Sequence, residues 1–486
     1  MRSLPKAADL SAIVVPPANN QPPVQLRVMV GLVAGATVVV LDFFVVLACL
    51  PAIQQALGAT GGQVQWVMAA YAVANSSFLI LGGRLGDLLG RRRVFLWGLC
   101  GFTASTVACS FAGSPNELII FRALQGLSGA LLQSQVLGLM AINFEGARRQ
   151  QAFGRYGAAM GVAGIGAQLL AGGLLQWLPA DTGWRACFLL STPVCALAAW
   201  AAWHALEGQR STARGVDLVG ALLFAATLGS LGSFLTAMRE ERAAQSSPLL
   251  LAVTLVSAVT LTVWIRQGRR SGAERIIPAE AFEGNDFAYW LVKVILFYGG
   301  VASLYFVLSL ELRTVSAFTP MQVGLYFALL GACFAATSSA TRLRRHLRER
   351  WASTGILMLL CGHTVMLLAA DQASTVNQAL LFALSSAAQG TGIGLILAPL
   401  LEQTIARTVN GAVSVGSGMV ASAQQMGNSI GICLIGLVYF PPHSPQAPLR
   451  GLYGLTGAVA YLDLLLLGLA VMFALRRQRS RVVVLD

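Results

Sequence analysis

Two ionisable residues sit deep inside apolar runs of this sequence: Asp42 in LDFFVVLACLP (41–51) and Arg122 in FRALQGLSGA (121–130). Such a placement is costly and points to function. Asp42 precedes Pro51 by nine residues, which on a helix is about 13 Å, too deep for a short carboxylate to reach water. Burial penalises its charged form, the condition under which a carboxyl group serves as a proton carrier. Arg122, six residues into its run, either extends its long side chain to the surface or works with the neighbouring Gln125. Lys293 lies about 10 Å from the other end of its run. It can snorkel out, or, facing inward, contact an anionic ligand or pair with an acid. His363 reads as a packed residue, and Asp463 lies within a run with no partner evident. Glu117, Glu311, Asp371 and Glu402 fall at run ends and read as solvated, and Asp217 as a helix-start carboxylate.

A second cluster is GGRLGDLLGRRRVF (82–95), where five of fourteen residues are charged in a chain that is 11% charged overall. Gly82, Gly83, Gly86 and Gly90 permit a tight turn between two helices. Asp87 can pair with Arg91 or Arg92, or with a helix N-terminus. Such a cluster can hold one packing of two helix bundles and release another; it can equally be a solvated turn that fixes topology.

The elements that position these residues are membrane spans. The chain is 56% hydrophobic, its mean hydropathy is +0.69, and a soluble chain would carry about 25% charged residues. Fourteen apolar segments of spanning length follow one another: 27–50, 64–82, 93–112, 117–142, 154–178, 184–205, 216–238, 248–266, 287–310, 321–341, 351–370, 376–401, 412–439 and 452–475. Of the 33 Lys and Arg, 26 fall in the N-terminal tail, the loops after even-numbered segments and the C-terminal tail, and five on the other side. That asymmetry places both termini in the cytoplasm and accounts for the +13 net charge without nucleic acid. Residues 1–26, with five prolines, read as a mobile cytoplasmic tail rather than a cleaved signal. RLRRHLRER (342–350) echoes the 82–95 turn imperfectly. Its position divides the chain into six-span halves, 27–205 and 287–475, with an inserted pair at 216–266 and a C-terminal tail at 476–486. Internal repeats of this kind mark transporters whose substrate site lies at the repeat interface.

Other function classes find little support. The eight cysteines lie in apolar runs without a CxxC pair, so neither a disulfide framework nor a metal site is expected. There is no phosphate loop and no HExxH, the four histidines are scattered, and GTGIG (390–394) lies inside an apolar helix. An enzyme or an ATP-driven pump is therefore not expected, nor is any cofactor. A sensor or scaffold would need a soluble output segment.

Several motifs together carry a family resemblance. GRLGDLLGRRR (83–93) resembles the signature between helices two and three of the major facilitator superfamily, in particular its fourteen-helix drug:proton antiporters. FRALQGLSGA (121–130), QWVMAAYAVANSSFLILGGRLGD (65–87), GWRACFLLSTPV (183–194), LDFFVVLACLP (41–51) and VDLVGALL (216–223) resemble further elements of that family. The resemblance implies an all-α polytopic inner-membrane protein with the major facilitator fold, two six-helix bundles plus two extra central helices. It implies proton-coupled efflux of small amphipathic compounds by alternating access, with Asp42 and Arg122 in coupling and Gly83, Asp87, Gly90, Arg91 and Arg92 as a latch. It also suggests cavity-lining positions: Phe43, Phe44, Tyr71, Gln125, Lys293, Phe297, Tyr298, Tyr305, Tyr326, Gln424, Gln425 and Asn428. The implied partners are lipids, substrate and protons; a periplasmic adaptor is left open. Two departures stand out. Gln168 and Leu169 replace the family's Gly-Pro pair in GIGAQLLAGG (164–173), and Phe44 and Leu47 replace Thr and Asn in the first span. A lipid or specific-metabolite exporter of the same fold is the closest rival.

Overall fold

Local sequence sets the helix boundaries. Pro22 and Pro23 open α1 (Pro22–Leu57), where a first turn has no use for their missing N–H groups. α2 (Gly61–Leu89) starts at a capping box in which Thr60 and Gln63 each accept the other's backbone N–H. It stops at Gly90, whose φ of 93° lets the chain turn at once into α3 (Arg91–Ser110). Ser114 caps α4 (Pro115–Asn143), and α5 follows at Gly146–Trp177. The predicted sixth span is two helices, α6 (Ala180–Leu189) and α7 (Ser191–Ala205). Pro193 explains the break: it cannot donate to the carbonyl four residues back, and its ring collides with it.

The chain continues through α8 (Leu218–Ala237), α9 (Ser247–Ser271), α10 (Asp286–Leu310), α11 (Pro320–Leu343), α12 (Arg348–Ala370), α13 (Thr375–Ile405), α14 (Val413–Tyr439) and α15 (Arg450–Val482). A single π-helical turn, Glu311–Val315, ends α10. This computed structural model describes residues 22–206, 217–237, 247–271, 286–343, 348–372, 375–405, 407, 413–439 and 450–482. No strand occurs among them. Counting α6 and α7 together, the helices match the fourteen predicted spans. Eleven segments are long and apolar enough to cross a bilayer on composition alone. The others, α3, α4 and α14, carry Arg91–Arg93, Arg122 with three glutamines, and Gln424, Gln425 and Asn428 respectively. Helices overrun the apolar segments at their ends. Residues 22–26 belong to α1 and 476–482 to α15, which shortens both predicted tails. The predicted echo turn falls largely at 344–347, outside the described residues.

Within the first half, α1 packs on α5 and α7, and α4 on α2 and α3; within the second, α10 packs on α14, and α13 on α11 and α12. Equivalent helix pairs approach equally closely. A Cβ at Gly126 of α4 would lie 2.3 Å from the Tyr71 carbonyl oxygen of α2, and one at Gly390 of α13 would lie 2.1 Å from that of Leu330 in α11. Only glycine permits these contacts. α8 and α9 pair with each other, and α8 rests against α2 and α14.

Candidate functional site

Asp42, Arg122 and Gln125 converge inside the first half. The Arg122 Nη1 donates to Asp42 Oδ2 at 2.6 Å and to Gln125 Oε1 at 2.5 Å, and its Nε donates to the Val67 carbonyl at 3.0 Å. Gln125 Nε2 donates to Asp42 Oδ1 at 2.8 Å and to Thr106 Oγ1 at 2.7 Å. The guanidinium lies 4.5 Å from the Tyr71 ring centroid. One carboxylate and one guanidinium thereby tie α1, α2, α3 and α4 together. Arg122 is fully buried and does not extend to the surface, and Asp42 is 2% exposed. Removing either charge would leave the other buried without its counter-charge.

Tyr71 also borders a cavity of about 260 Å³ between the halves. Phe43, Phe44, Tyr298, Tyr305, Gln425 and Asn428 line it as expected, together with Phe297. The Phe44 ring is 5.6 Å from that of Tyr305, bridging α1 and α10. Gln425 donates to Asn75 Oδ1 at 2.9 Å, bridging α14 and α2, and accepts from Asn428 at 2.8 Å. Other expected residues lie elsewhere. Gln125 serves the Asp42 network, and Gln424 stands behind the wall, donating to the Tyr298 hydroxyl at 2.7 Å. Tyr326 joins a ring cluster with Phe318 and Phe382. Lys293 neither lines the cavity nor snorkels. It is fully buried, with Nζ 4.4, 4.1 and 4.2 Å from the ring centroids of Tyr289, Trp290 and Phe473. Those rings supply the cation–π environment that holds it between α10 and α15. Two polar wall residues went unassigned in the sequence, Gln133 and Gln168. Gln168, standing where the family's Gly-Pro pair does, donates to the Phe44 carbonyl at 3.0 Å.

The halves meet at the end opposite the Arg84–Arg93 turn. There a Cβ at Gly172 of α5 would lie 2.7 Å from the Pro320 carbonyl oxygen, and one at Gly324 of α11 would lie 2.8 Å from that of Gln168. Gln65 of α2 donates to the Ile432 and Cys433 carbonyls of α14, both at 2.7 Å, and Ser309 of α10 donates to the Leu47 carbonyl of α1 at 2.7 Å. Toward the basic end, a Cβ at Gly154, Gly157 or Gly161 of α5 would meet nothing within 4 Å. The contacts between α5 and α11, α2 and α14, and α10 and α1 thus seal the cavity at the end opposite the basic turn.

A sequence signature of the Major Facilitator Superfamily matches residues 32–432. The chain belongs to this superfamily. It is 33% identical over 476 residues to the puromycin resistance protein pur8 of Streptomyces alboniger, covering 93% of this chain and 92% of that protein. It is 30% identical over 441 residues to a probable actinorhodin transporter of Streptomyces coelicolor, covering 88% and 75%. A solved bacterial homologue of the human drug peptide transporters PepT1 and PepT2 shares its fold, with a TM-score of 0.65 at 16% identity over 94% of this chain and 99% of that one. The protein is a multi-pass membrane protein with the superfamily's two six-helix bundles, and α8 and α9 are the additional pair.

The superfamily's signature turn is built within the first half. Arg91 donates to Asp87 Oδ1 at 2.6 Å. Arg92 donates to the Trp203 carbonyl of α7 at 2.8 Å. A Cβ at Gly138 of α4 would lie 1.8 Å from Arg91 Nη1, so that glycine makes room for the guanidinium. Gly86 likewise accommodates Gln135, whereas a Cβ at Gly83 would meet nothing. These ion-pair and hydrogen-bond contacts all lie within the first half.

Three further polar residues are placed differently from expectation or more fully. His363 of α12 is not merely packed: its Nδ1 lies 2.7 Å from Asp463 Oδ1 of α15, the partner the sequence did not reveal. Glu311 is not solvated but fully buried, accepting from the Tyr439 hydroxyl at 3.1 Å. Asp217 caps α8 through the Gly220 N–H and also accepts from Trp264 Nε1 of α9, both at 2.8 Å.

Proposed function

We propose that this protein exports small amphipathic organic compounds, natural products or drugs, in exchange for protons by alternating access. The observation that carries this reading is the buried Asp42–Arg122–Gln125 network abutting, through Tyr71, a cavity of aromatic and amide side chains between the two halves. The names of the relatives, a puromycin resistance protein and a probable actinorhodin transporter, support export of bioactive organic molecules. In this reading residues 27–205 and 287–475 are the moving halves and 216–266 an inserted pair. The termini and the basic end face the cytoplasm of an inner membrane, and the cavity is loaded from that side.

Asp42 takes up a proton when the opposite end opens and, with Arg122, passes the change to α2, α3 and α4. Gly83, Asp87, Gly90, Arg91 and Arg92 latch the basic end when it closes. Phe43, Phe44, Tyr71, Tyr298, Tyr305, Gln425 and Asn428 contact substrate, Gln424 holds the Tyr298 hydroxyl in place, and Gln125 holds Asp42 and Arg122. The test is substrate-triggered proton flux in liposomes with an imposed pH gradient, over a panel of amphiphiles, beside Asp42→Asn. Flux that disappears in the variant while binding persists supports the reading; transport without proton movement overturns the coupling.

A further inference from the structure

We infer that the central cavity takes its ligand as an electrically neutral, planar aromatic molecule bearing hydroxyl or N–H donors, and that exchange for a proton is therefore electrogenic. The inference rests on the export reading and deepens it. Among the described residues lining the cavity, none is Asp, Glu, Lys, Arg or His. Nearby charges are already engaged: Asp42 and Arg122 with each other, and Lys293 within its ring cage. A permanently charged ligand would enter a site with no counter-charge, and burying an unpaired charge costs several kcal/mol.

What the wall offers instead is neutral. Rings link the halves from Phe43 to Phe44, Tyr305 and Phe327, with centroids 5.4, 5.6 and 5.8 Å apart and planes inclined at 90°, 49° and 78°, so that a planar aromatic ligand can stack on the face of one ring and meet the edges of others. The Gln133 and Gln168 Oε1 atoms have no hydrogen-bond partner among the described residues. A buried acceptor without a donor is destabilising until a ligand supplies one. Outward passage of a neutral molecule against inward passage of a proton moves net positive charge inward, so an interior-negative potential must accelerate it.

The protein in lipid nanodiscs would be titrated by calorimetry with 2,6-dihydroxyanthraquinone, whose hydroxyls are free to donate, a sulfonate derivative and a quaternary ammonium derivative, at about pH 6, where the phenols are protonated. The neutral compound is expected to bind at least about tenfold more tightly than either charged one. Gln133→Leu should weaken the neutral compound, and Gln133→Glu should shift preference by about tenfold toward the quaternary ammonium. Equal or tighter binding of a charged member, or binding of none of the three, overturns the inference irrespective of how the variants fold. Liposomes separate its failure from that of the export reading. A neutral compound that binds but is not moved by a pH gradient defeats export and leaves the cavity chemistry standing. Faster transport of a charged member, or transport of the neutral one that ignores a potassium-diffusion potential, defeats the inference and leaves export standing.

Discussion

Asp42 and Arg122 carry opposite charges in one buried site, so neither can be altered alone without stranding the other. Asp42→Asn and Arg122→Gln are each expected to lower unfolding free energy by about 3–5 kcal/mol, as for other buried pairs broken from one side. The double variant should lose less than the sum, because no charge is stranded. Denaturant unfolding in detergent micelles measures this cycle, and strict additivity would show that the pair is not energetically coupled. Each member was legible in the sequence because an ionisable group inside an apolar run is conspicuous. Their pairing was not, since 80 residues and a helix-packing arrangement separate them. Lys293 shows the limit of reading depth alone. Depth allowed both a snorkelling and a cavity-facing side chain, and rotation about α10 decided against both. Tyr289 and Trp290, four and three residues earlier, were within sequence reach; Phe473, on α15, was not. Asp463 and His363 are likewise visible as separate oddities whose contact belongs to the fold.

Helices were the most legible elements, because apolar length dictates a span and Pro, Gly and capping residues dictate its ends. The break at Leu190 was present in the sequence as Pro193 and was hidden by an uninterrupted apolar run. Close glycine contacts were not legible as a class, since only the packing tells which bind one half together and which join two halves. That difference has opposite consequences. A Cβ at Gly431 of α14 would lie 2.2 Å from the Gly299 carbonyl oxygen of α10, inside the second half. Gly431→Ala must distort that half and should cost about 1–3 kcal/mol of stability. The contact of Gly324 with Gln168 joins halves that can part. Gly324→Ala should therefore leave unfolding nearly unchanged and open the end opposite the basic turn. A cysteine at buried Ser309, assayed by thiol labelling, reads that opening: faster labelling with Gly324→Ala and unchanged labelling with Gly431→Ala is the expected pattern.

In the proposed cycle one sequence must support both access states, which is why the apolar runs and basic loops disclosed the topology but not the state. Asp87 pairs with Arg91 inside its own half, so in the proposed cycle bracing between halves by this turn belongs to a state in which the basic end is closed. Asp87→Asn should then disfavour that closed state by about 1–3 kcal/mol, raising the labelling rate of a cysteine at Gly161 from the basic side; unchanged labelling would leave the turn a topological anchor only. The sealed end permits the converse manipulation. A Cβ at Gly436 of α14 would lie 2.2 Å from Gln65 Cδ of α2, so cysteines at 65 and 436 bring their Cβ atoms within about 4.7 Å, close to disulfide geometry. In a background with the eight native cysteines replaced, oxidation of Gln65→Cys/Gly436→Cys should hold the two halves together at that end. The cavity would remain reachable from the basic end, so ligand affinity should stay within about twofold, while net transport in liposomes stops and returns on reduction. Loss of binding on oxidation would mean that the cavity forms only when this end is free to open. Transport that persists through the oxidised state would mean that the seal between α2 and α14 is not the gate through which the ligand leaves.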